Sequence, residues 1–194
     1  MKTKIFIFAF LIFTLNDLLF AVITLPWLYF IADYLCRVAV LLFFILGLIT
    51  KNISLKSLRF NKINIKTLFI QSLNLTLIGF FLSDAIEPLL PSFGFLHYPD
   101  YPNVYLKIFD LSIGLLLVAL SEEVVFRGLL LNLLNRYSVI VSSILFGLIH
   151  WGSGIATVVV ATLIGIFFAH TTLKTNSIYP VLIAHFCINF LLFI

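Results

Sequence analysis

The chain has 194 residues, of which 62% are hydrophobic, 10% are charged and 22 are phenylalanine, with a formal net charge of +4. A globular domain in water carries about 25% charged residues, so this composition excludes a water-soluble fold and points to the bilayer as solvent. The positive charge does not indicate nucleic acid, because the basic residues fall between apolar runs, where membrane topology concentrates them.

A spanning helix needs about 20 apolar residues, or fewer when buried among partners. On that basis about seven spans are predicted, forming one all-α, polytopic transmembrane helix bundle over residues 1–194. The first occupies 5–25. It follows Lys2 and Lys4, as the apolar core of a signal peptide would, but no small-x-small cleavage site interrupts it. It therefore reads as a retained helix that stops at Pro26. The second, 27–50, carries Asp33 and Arg37 four residues apart, a spacing at which they can neutralise each other near the outer face. A polar linker follows, with Lys51, Lys56, Arg59, Lys62 and Lys66. The third span is 67–90, and the loop after it contains Pro91, Gly94, Pro99 and Pro102. The fourth, 104–135, holds the densest charge in the chain. The fifth, 138–151, is short and ends at Gly152-Ser153-Gly154; the sixth is 155–173 and the seventh 178–194.

Lys2, Lys4, the five linker residues, Arg136 and Lys174 all fall on one side of this alternating path. The other side holds Glu87 and Asp100 and gains only Lys107. Lys and Arg in short loops mark the cytoplasmic face, so the N-terminus is expected inside and the C-terminus outside, with the linker against anionic lipid headgroups. Cys36 and Cys187 lie in apolar runs and read as small hydrophobes, not as a disulfide or a thiolate metal site.

Ionisable groups inside a membrane cost about 2.5–3.5 kcal/mol each on insertion scales and are functional candidates by default. The fourth span contains Ser121-Glu-Glu-Val-Val-Phe-Arg-Gly128. Glu123 and Arg127 are four apart and share a helix face, so they can pair, whereas Glu122 points away from Arg127 and is left for chemistry. Phe146-Gly-Leu-Ile-His150 and His185-Phe-Cys-Ile-Asn189 each place two residues at the same spacing. Together these side chains can build one polar pocket inside the bundle. Asn16 and Asp17 receive no role, and His97 and His170 read as bystanders. His-Glu-x-x-His is absent. Trp151-Gly-Ser153-Gly154 looks like a rhomboid serine motif with Trp in place of the first Gly; Ser153 reads as a decoy, a Ser153–His185 dyad being the alternative.

Glu-Glu-x-x-x-Arg, Phe-x-x-x-His and His-x-x-x-Asn, in that order on successive helices, resemble the CAAX prenyl endopeptidase and bacteriocin-processing (CPBP, or Abi) family of intramembrane proteases. The resemblance covers about 118–194. It implies that Glu122 is a general base activating water, assisted by His150. It implies too that His185 and Asn189 stabilise the oxyanion, with Glu123 and Arg127 in support. Glu122, His150 and His185 are also a ligand set suited to Zn²⁺ or another divalent metal with one position left for water. The family has been described both ways, and metal-free chemistry is the expectation here. The implied partners are membrane lipids and a membrane-tethered peptide or protein, a CAAX-type, bacteriocin or sorting-tail precursor, at a bacterial plasma membrane. Two alternatives belong to other classes: a non-catalytic immunity or scaffold protein, and a transporter with a Glu/His proton relay. The missing inverted repeat speaks against the transporter.

Overall fold

The computed structural model describes residues 2–91, 93–96, 99–134 and 137–194. The described residues form seven apolar helices: α1 (Lys2–Val22), α2 (Pro26–Ile49), α3 (Ile65–Leu89), α4 (Val104–Asn132), α5 (Ser138–Leu148), α6 (Ile155–Thr175) and α7 (Tyr179–Phe193). No strand occurs among the described residues. Five of the helices are long and apolar enough to cross a membrane, while α5 and α7 have 11 and 15 residues. At 1.5 Å per residue, α5 reaches only about 16 Å. The expected fifth span, 138–151, thus divides into a short helix and a turn of 3₁₀ helix at Trp151–Ser153.

Local chemistry accounts for the boundaries. Pro26 occupies the first turn of α2, where its missing N–H costs nothing. Asn64 and Asn103 cap α3 and α4 by accepting from the backbone N–H groups of Lys66 and Leu106, both at 2.9 Å. α6 starts after Gly154, whose φ of 112° suits glycine, and stops at Asn176, whose φ of 50° tolerates Asn.

α5 packs on α6, α3 on α7, and α1 on α2, while α4 lies between α2 and α7. One core joins all seven helices, with Phe13, Val40, Leu75, Phe126, Phe146, Val160 and Val181 among its members. The outer faces stay apolar at Leu11, Leu35, Leu46, Phe69, Ile108 and Ile144, all exposed, as lipid-facing residues should be.

The two ends of the bundle differ. At one end, Arg59 of the 50–64 linker donates to Asn132 of α4 and Asn176 beyond α6, both at 2.8 Å. Its carbonyl accepts from Ile178 N–H at 3.0 Å. At the other end, Phe95 and Leu96 of the α3–α4 loop donate their N–H groups to Gly152 O, and Lys107 donates to the Ile194 carbonyl. The alternating path read from the charges therefore matches the grouping of the connections. Arg136 and His97 lie outside the described residues.

Candidate active site

The helix α4 is not regular. Two of its turns, Asp110–Gly114 and Val124–Leu129, are π-helical, and such turns are frequent at functional sites. The second begins immediately after the glutamate pair. Glu123 and Arg127 still meet, Nε to Oε2, at 3.3 Å, and both are fully buried. Arg127 also lies over the ring of Phe146, 4.0 Å from its centroid, so the fifth helix supplies a cation–π face to the same guanidinium.

His185 of α7 bridges the two glutamates. Its Nδ1 is 2.8 Å from Glu123 Oε1 and its Nε2 is 3.9 Å from Glu122 Oε2. A carboxylate only accepts, so Nδ1 carries the proton and Nε2 faces Glu122. His150 is fixed in the same way. Its Nδ1 donates to the Phe146 carbonyl at 2.9 Å, which leaves Nε2 with a lone pair. Glu122, His150, His185 and Asn189 all line one cavity of about 360 Å³ inside the bundle. Ser153 lines it too, while both ring nitrogens of His185 face glutamates.

One expectation is corrected. Glu122 is not left unpaired: Arg37 of α2 donates from Nη1 to its Oε1 at 2.6 Å. The Asp33–Arg37 pair exists, Nε to Oδ1 at 3.1 Å, but it lies within the bundle instead of closing on itself at the outer face. Asn16 of α1 then donates to Asp33 Oδ1 at 2.8 Å. A chain of polar contacts thus runs Asn16, Asp33, Arg37, Glu122, His185, Glu123, Arg127 through four helices. Asp17 lies beside Gly152, lines the cavity and is buried. At the cavity's outer part Asp110 accepts from Tyr34 and Tyr101, both at 2.8 Å. Burial and that bond push the Tyr101 phenol above its usual value, so it remains a donor.

Arg37, Asp33 and Asn16 are the residues that sequence reasoning missed. The signal was charge arithmetic within the spans: two glutamates and one arginine on α4 leave one carboxylate without a cation, and Arg37 stands midway along α2.

Glu122, His150 and His185, the three candidate metal ligands, line the cavity together. Among the described residues no group of three His, Cys, Asp or Glu side chains could hold an ion. The guanidinium on Glu122 Oε1 also places a positive charge against the first of the three candidate ligands.

Comparison with known protein families gives a match over part of the chain. Residues 103–191 fit the family model described as type II CAAX prenyl endopeptidase Rce1-like. No curated protein and no solved structure matches the chain. The match begins at the cap of α4 and ends in α7, so it takes in all six candidate residues of the site. Residues 103–191, a little under half of the chain, are thus similar to the Rce1-like family of type II CAAX prenyl endopeptidases, and the resemblance is carried by α4, α5, α6 and α7.

Proposed function

We propose that this Rce1-like chain is an intramembrane endopeptidase that hydrolyses a peptide bond of a membrane-tethered substrate with a water activated by Glu122. The observation that carries the reading is the convergence of Glu122, His150, His185 and Asn189 on one buried cavity. Separated polar groups in hydrocarbon would each lack partners, whereas a shared water-bearing cavity satisfies them together.

Glu122 Oε1 is held by Arg37, so Oε2 is the oxygen free for chemistry; it is buried and lies 3.9 Å from His185 Nε2. One water oxygen can sit within hydrogen-bond reach of both. The water attacks the scissile carbonyl carbon and its proton passes to Glu122 Oε2, with the His150 lone pair orienting the water. The carbonyl oxygen becomes an oxyanion and accepts hydrogen bonds from the Asn189 side-chain amide and from His185 Nε2 once Glu122 shares the water's proton with it. The C–N bond then breaks and Glu122 returns the proton to the leaving amine. Glu123 orients His185 through Nδ1, and Arg127 compensates Glu123. Three carboxylates (Asp33, Glu122, Glu123) and two guanidiniums (Arg37, Arg127) leave the chain with one formal negative charge when His185 is neutral. It can therefore take up the water's proton without creating an uncompensated charge.

The test is cleavage of tethered proteins in cells, read by proteomics of wild type against Glu122→Gln. Gln keeps the acceptor for Arg37, and Arg37 keeps Asp33, so the variant is expected to fold with wild-type thermal unfolding and to accumulate uncut substrates. Identical peptide profiles in the two strains would leave the immunity or scaffold reading in its place. Chelator-treated, metal-stripped protein is expected to keep its activity; loss restored by added Zn²⁺ would overturn the metal-free part. The N-terminus inside a bacterial plasma membrane and the C-terminus outside complete the proposal, on the strength of the charged loops.

A further inference from the structure

The cavity runs in one direction. From Arg37 and Glu122 at mid-bundle its walls pass to Phe20 late in α1, Tyr29 early in α2, Glu87 at the end of α3 and Tyr101 in the α3–α4 loop. None of its described lining residues comes from the 50–64 linker, the last turns of α4 or the α6–α7 turn. That opposite end is sealed. Ile53 and Leu58 of the linker are 4% and 1% exposed and join the core, and Arg59 and Asn61 tie the linker down onto Asn132 and the Asn176 backbone and side chain.

The sealed end is also the basic end. It carries Lys51, Lys56, Arg59, Lys62 and Lys66, while the end into which the cavity runs offers Glu87, Asp100 and Lys107. Lys and Arg in short loops are retained on the cytoplasmic side. We infer that the cavity opens to the extracytoplasmic side, so that the scissile bond reaches Glu122 from outside the cytoplasm. The substrate class is then a membrane-tethered peptide segment that has already been exported, not a tail presented in the cytoplasm. The word substrate rests on the protease reading; the side of opening does not.

The two can be tested apart by thiol accessibility, which needs no catalysis. In a Cys36→Ala, Cys187→Ala background of the full chain, Val118→Cys reports the cavity wall, Pro99→Cys its outer rim and Lys56→Cys the linker. The probe is a membrane-impermeant, positively charged methanethiosulfonate applied to right-side-out and to inside-out vesicles. Val118→Cys and Pro99→Cys are expected to react in right-side-out vesicles and to lose that reaction in inside-out ones, with Lys56→Cys showing the reverse. Reaction of Val118→Cys from the inside-out face, or from neither face, overturns the inference. Cleavage that depends on Glu122 but maps to cytoplasmic segments also overturns it while sparing the protease reading. The expected labelling without any Glu122-dependent cleavage overturns only the protease reading.

Discussion

The arginines show how single residues divide the work of one site. Arg127 is enclosed by Glu123 and by the faces of Phe146 and Phe168, with no exposure to solvent. Its removal strands the Glu123 carboxylate in a low-dielectric interior, a change that typically costs about 3–5 kcal/mol. Arg127→Ala is therefore expected to unfold early in detergent, and a melting temperature equal to wild type would show that the pairing contributes little. Arg37 is different because it serves two carboxylates at once, Asp33 through Nε and Glu122 through Nη1. Lysine is a point charge without that fork. Arg37→Lys is expected to keep the fold and lose activity, because Glu122 Oε1 is no longer pinned and Oε2 no longer aimed. Full cleavage activity in that variant would mean that the guanidinium only balances charge.

Among the elements, α5 is the one on which site geometry leans most. Its 11 residues cannot anchor it across a bilayer, so its position comes from packing on α6. Gly147 makes the approach close: a Cβ there would strike Thr162 Oγ1 and come within 2.6 Å of the Val158 carbonyl oxygen. Backbone on the far side cannot rotate away, and overpacking of this kind costs about 1–3 kcal/mol. Gly147→Ala is expected to lower the unfolding temperature in detergent. It should also weaken cleavage, since His150 sits one turn on and is held by the Phe146 carbonyl. Wild-type values in both measurements would show that α5 can shift without moving the histidine. The periodic apolar runs made all seven helices legible within a few residues of their ends. The end of α5 was harder to read, because Ile149 and Trp151 continue the apolar pattern while the backbone already turns at His150.

At the scale of the whole molecule, the connections sort into a basic end and an acidic end. A reporter fused after Lys56 is expected to read cytoplasmic and one fused at the C-terminus external. Both on the same side would mean that α5 or α7, the two short helices, does not cross. The same polarity governs the cavity, which is closed by the linker at one end and bounded by Asp17, Glu87 and Tyr101 toward the other.

The sequence by itself determined the solvent, the helical class, the alternation of basic and acidic ends, and the three motifs on α4, α5 and α7. Those properties are local: they depend on composition, on apolar run length and on a spacing of four residues that any helix turns into a shared face. It could also pair Glu123 with Arg127, because both stand on one helix. What only the tertiary structure decided is every contact that joins distant segments. Asn16, Asp33 and Arg37 belong to helices outside the family match, and no spacing links residue 37 to residue 122. Only the packing of α2 against α4 brings the guanidinium to Glu122, and only α7 beside α4 sets His185 between the two glutamates. A buried charge must be met by whichever opposite charge the fold delivers, and that choice is made in three dimensions.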